Sequence, residues 1–101
     1  MSLTKTEYLL DVLMEECAEV IQRASKAIRF GLHEVQPGQT KDNSQRLVEE
    51  YCDLLTTFEE LVQEASIYCE GNIFAELTTA KKVKLAEFMN YSQQLGILTN
   101  D

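Results

Sequence analysis

Two stretches of this chain set carboxylates into otherwise apolar helical patterns, and that constrains its fold more than any other feature. Met14-Glu15-Glu16-Cys17-Ala18-Glu19-Val20 is the first, and Val48-Glu49-Glu50-Tyr51-Cys52-Asp53-Leu54-Leu55 is the second. On a wheel turning about 100° per residue, Leu9, Leu13, Val20, Ala24 and Ala27 gather into one stripe, with Glu16 and Glu19 along its border. Leu47, Leu54, Phe58, Leu61 and Ala65 form a second stripe, with Glu50 and Asp53 at the same angular offset. The i, i+3 spacing puts each pair on neighbouring turns of one helix face, so packing the two stripes together brings four acids to one place. Partly buried and unpaired, such charges lose hydration and repel, at a cost of several kcal/mol per ion.

A multivalent cation removes that difficulty. Oxygen-only donors select a hard ion, Mg²⁺ with Mn²⁺ as a substitute. Zinc sites generally use His or Cys, and helical di-iron sites use Glu-x-x-His, which neither pair contains. The competing reading makes the acids ordinary border residues neutralised by Arg23, Lys26 or Arg46. Glu15 and Glu49 lie on the outer side of their neighbours and read as solvated.

Around these pairs the periodicity predicts an all-α chain with no strand. A first helix spans about residues 4–30 and stops at Gly31. The loop 31–43, which contains Gly31, Pro37 and Gly38, is the one clear break. A second helix starts with Asn43 or Ser44 as N-cap and runs to about residue 70, where Gly71 stops it. The connector Asn72-Ile73-Phe74-Ala75-Glu76-Leu77-Thr78 has room for a helical turn. A third helix starts near Thr78 or Thr79, carries Ala80, Val83, Ala86 and Met89 on one side, and ends before Gly96.

With 101 residues the chain supports one small helical-bundle domain, 1–101, whose core a second subunit would complete. Its formal charge of −8 concentrates in residues 1–71, which hold 6 Lys/Arg against 14 Asp/Glu. That balance argues against DNA or RNA as a partner, because phosphate neutralisation dominates such affinity. No run is apolar enough for a membrane span, and the first ten residues lack the order of a signal peptide, so a cytoplasmic location is expected. Cys17, Cys52 and Cys69 form no C-x-x-C pair and read as free thiols. His33 has no partner at a spacing that suggests a general base, and Phe30, Phe58, Phe74 and Phe88 read as core or subunit contacts.

The acids of residues 15–19 and 50–53 together resemble the E-E-x-x-E…E-x-x-D signature of the MazG-like all-α nucleoside triphosphate pyrophosphohydrolases, a family that includes dimeric dUTPases. The likeness covers most of the chain: acidic helix, loop, acidic helix, then a shorter helix with lysines. Thirty residues separate Glu19 from Glu50, slightly more than the usual gap, which implies a different loop beside the nucleotide pocket. The resemblance implies that Glu16, Glu19, Glu50 and Asp53 bind Mg²⁺ and serve catalysis. It implies that Glu15 contacts a further metal or orients the attacking water.

It further implies hydrolysis of an NTP or dNTP between the α and β phosphates, in a homodimer or homotetramer. Lys81 and Lys84, one turn apart on the third helix, are then candidates for phosphate binding. Lys26 is a weaker one, and Asn90 and Tyr91 could read base or sugar. Phosphoribosyl-ATP pyrophosphohydrolase activity has only fold-level support. A non-enzymatic helical oligomerisation or regulatory module with a structural acidic face is the main alternative. A carboxylate-bridged redox protein lacks the Glu-x-x-His that it would need.

Overall fold

The computed structural model describes residues 2–99 and is all-α: α1 (Lys5–Phe30), α2 (Asn43–Glu64) and α3 (Ile73–Gln94), with no strand among the described residues. The chain divides into two compact units, one reaching Ile67 and the other starting at Tyr68.

In the first unit α1 and α2 pack against each other as an antiparallel pair. Thr4 caps α1: its hydroxyl accepts from the Glu7 N–H at 3.1 Å, and the Glu7 carboxylate accepts from the Thr4 N–H at 3.0 Å. Gly31 ends α1 at φ 104°, a conformation open to glycine, and its N–H bonds to the Ala27 carbonyl. The N-cap of α2 is Asp42 rather than Asn43 or Ser44. Its carboxylate accepts from the Gln45 N–H at 2.8 Å, while the Gln45 side chain accepts from the Asp42 N–H at 2.8 Å.

Asn43 is thereby released for another task. Fully buried, it donates from Nδ2 to the Gly31 carbonyl at 2.8 Å, and its backbone N–H bonds to the Glu34 carbonyl at 3.1 Å. The Ser44 N–H bonds to the Leu32 carbonyl at 2.8 Å, so the start of the interhelical loop is tied to the start of α2.

Helix α2 ends at Glu64, well before the expected residue 70. Ser66 takes φ 51°, the Ile67 N–H reaches the Val62 carbonyl at 3.0 Å, and the Ser66 N–H reaches the Gln63 carbonyl at 3.4 Å. This is a Schellman ending with serine where glycine is usual, and it terminates the helix upstream of Gly71. The contact stripe of α1 also differs from the expected one, since Ala24 is exposed whereas Val12, Glu16, Glu19 and Arg23 are partly or wholly covered. Leu61, at 3% exposure, is the only buried apolar residue among those described.

The second unit contains α3, which starts at Ile73 rather than at Thr78 or Thr79; the expected connector turn is its first turn and a half. Gly96, at φ 75°, ends it as anticipated, with the Ile97 N–H on the Ser92 carbonyl at 3.0 Å. No residue of α3 is buried.

Candidate metal centre

Glu16, on the middle of α1, and Glu50 and Asp53, on α2, each contribute one carboxylate oxygen to a group lying within 4.8 Å of one another. Helix geometry sets this up. Glu50 and Asp53 sit one turn apart on the face that α2 turns to α1, and Glu16 faces them across the interface. Glu19, on the next turn of α1, lies close enough to Glu50 for the two carboxyls to influence each other's protonation. Three of the four acids predicted to converge, Glu16, Glu50 and Asp53, are therefore grouped, with Glu19 beside Glu50; Glu16, Glu19 and Glu50 are partly covered by the helix pairing, whereas Asp53 is exposed at its edge.

The electrostatics are those of crowded anions. The Glu50 carboxyl is raised from its ordinary value to about 7, first because a proton shared with Glu19 is favoured, then by lost hydration and by the charges of Glu19, Asp53 and Glu16. Glu16 is also raised, first by desolvation and then by repulsion from Glu19, Asp53 and Glu15. Although both side chains remain partly exposed overall, Glu16 Oε2 and Glu50 Oε2 are enclosed and lack any hydrogen-bond partner among the described residues.

Protein cations do not relieve this crowding. Among the described residues the only ion pairs are His33 with Asp42, at 3.3 Å, and Lys41 with Glu49. Arg23, Lys26 and Arg46 pair with none of the acids, which removes the neutralised-border reading of the cluster. The donor set fits a hard divalent cation: oxygen atoms only, from three or four carboxylates on two helices, two of them with an unsatisfied enclosed oxygen.

Of the other candidates, Glu15 is exposed on α1 next to the cluster, and Lys26 is half-buried further along the same helix. Lys81, Lys84, Asn90 and Tyr91 are exposed on α3, in the second unit. His33 is a loop residue bonded to the α2 cap, and Cys17, Cys52 and Cys69 are free thiols, as expected.

Spacing alone did not reveal the state of Arg23. It is 8% exposed, on the same face of α1 as Glu16 and Glu19, and its Nη1 is enclosed without a hydrogen-bond partner. A signal was present in the sequence: E-x-x-E-x-x-x-R at residues 16–23 is mirrored by R-x-x-x-E-x-x-D at residues 46–53. No family model, curated protein or solved structure matches this chain.

Proposed function

We propose that the chain is a Mg²⁺-dependent nucleotide pyrophosphohydrolase, cleaving an NTP or dNTP between the α and β phosphates to give the monophosphate and pyrophosphate. The observation that carries this reading is the convergence of Glu16, Glu50 and Asp53, with Glu19 beside Glu50, around enclosed carboxylate oxygens that no protein cation satisfies.

Glu16, Glu19, Glu50 and Asp53 hold the cation, for which Mn²⁺ can substitute. A hard divalent cation held by these residues would supply charge compensation for phosphate oxygens and a lowered pKa for a water molecule. The chain's own residues do the rest. The two helices fix the carboxylates, and Glu15, exposed beside the cluster, orients the attacking water. Deprotonated Glu50 serves the site, so cation affinity rises with pH as that carboxyl, raised to about 7 in the metal-free chain, gives up its proton to binding. Lys26, on α1, is assigned to the phosphate chain. The active species is a homodimer or homotetramer in the cytoplasm.

A panel of NTPs and dNTPs, assayed for pyrophosphate release with Mg²⁺ and again with chelator, tests this reading. At least one nucleotide is expected to release pyrophosphate, with chelator abolishing the reaction and Glu50→Gln or Asp53→Asn lowering it roughly 100-fold or more. Absence of release across the whole panel refutes the assignment.

A further inference from the structure

The register that brings the acids together does not end with them. Glu16 lies against Asp53 and Glu19 against Glu50, while Lys5 and Leu9 share a groove with Glu60 and Glu64. In this antiparallel pairing the residue numbers of facing positions add to about the same total. Carried one turn further toward the interhelical loop, it sets Arg46 opposite Arg23. Both arginines share the acid-bearing faces of their helices: Arg23 follows Glu19 by four residues, and Arg46 precedes Glu50 by four. Along each axis the step from acid to arginine is about 6 Å.

The register therefore sets Arg23 and Arg46 at facing positions of the antiparallel interface, and neither is ion-paired to a carboxylate among the described residues. Arg23 is more than nine-tenths buried and its Nη1 has no acceptor. Arg46 is half-buried, and its Nη1 donates to Gln36 Oε1 at 2.9 Å, which fixes its orientation from the loop. Two cations at neighbouring positions, one with an enclosed unfilled donor, present the chemistry of an anion site, and the planar arginine fork suits the paired oxygens of a phosphate.

We infer that Arg23 and Arg46 form a phosphate subsite one helical turn from the four carboxylates, taking the part of a polyphosphate chain that extends beyond the cation. This rests on the acids holding a divalent cation, and it deepens that reading by giving the bound substrate a direction: the phosphate chain runs from the acids toward the loop that carries Gln36. It assigns phosphate binding to arginines of the α1–α2 pair. The enclosed unsatisfied oxygens of Glu16 and Glu50 and the unsatisfied Nη1 of Arg23 then have one common explanation, a cation and an anion that bind side by side.

Calorimetry on the full chain separates the two levels, with Mn²⁺ alone as one probe and inorganic pyrophosphate in the presence of Mg²⁺ as the other. Wild type is expected to bind both. Arg23→Gln and Arg46→Gln are each expected to weaken pyrophosphate at least tenfold while leaving the Mn²⁺ affinity within about twofold. Where Arg23→Gln does not fold by circular dichroism, Arg46→Gln, at a half-exposed position, carries the same comparison. Wild type that binds Mn²⁺ but not pyrophosphate overturns this subsite and leaves the metal centre standing. Unchanged pyrophosphate affinity in the variants also overturns it, as does a change confined to sedimentation behaviour, which would make the arginines contacts to a carboxylate of a second copy. Orthophosphate binding as tightly as pyrophosphate without Mg²⁺ would show a generic anion site and overturn it too. Failure of wild type to bind Mn²⁺ removes the centre on which it rests.

Discussion

Glu50 concentrates the electrostatic problem of this molecule in one side chain. Its carboxyl keeps a proton in the folded chain up to about 7, whereas an ordinary glutamate releases it near 4.5. Between those values the folded state binds more protons than the unfolded one, so the contribution of Glu50 to stability declines as pH rises through the window. The metal-free chain should show this as a falling melting midpoint from about pH 5 to about pH 7.5, and Glu50→Gln should flatten that part of the profile. A profile that Glu50→Gln leaves unchanged would remove Glu50 as its source. At this scale the sequence was highly legible, because i, i+3 spacing fixes the direction of a side chain on a helix whatever surrounds it. Burial and pairing were not legible. Whether Arg23 neutralises Glu19 four residues away or turns elsewhere depends on tertiary contacts that spacing does not encode. The same limit hid Asn43, which read as a helix cap because its type suits one, yet it ties α2 to Gly31 while Asp42 caps.

Helix ends show a different limit. Glycine marked two of them correctly, Gly31 after α1 and Gly96 after α3, since both residues adopt positive φ. It misled at the end of α2, because Ser66 takes the left-handed position and stops the helix before Gly71 is reached. An L side chain in that conformation carries a penalty of about 1 kcal/mol, part of which glycine returns through its greater freedom in the unfolded chain. Ser66→Gly should therefore stabilise the first unit by roughly 0.5–1 kcal/mol, read as a higher denaturant midpoint at unchanged slope. A lower midpoint would mean that the serine side chain contributes more than its backbone strain costs. The late start expected for α3 has a related cause. Ile73, Phe74 and Leu77 look like connector in a short window, and Asn72 makes no side-chain cap that would mark the true start.

For the whole chain, charge and apolar surface point in complementary directions. The net charge of −8 excludes no small phosphorylated ligand, provided that a cation stands between it and the acids. No described helix is long and apolar enough to cross a membrane. The fold class was legible because period-3.6 patterning persists over long segments. The shortage of core was legible only as an expectation from length, and it appears in the structure as a single buried apolar residue among those described, Leu61, while Ile28, Tyr68 and Ile97 are more than three-quarters exposed. The proposed function turns on whether two helices of one hairpin hold a hard cation between their carboxylates. Mn²⁺ binding, followed by electron paramagnetic resonance on the full chain, tests that most directly. Wild type and Glu49→Gln, which alters an exposed acid paired with Lys41, should bind alike, and Glu50→Gln should weaken binding about 10–100-fold. Equal binding by all three proteins, or none by wild type, would contradict a metal centre between these helices.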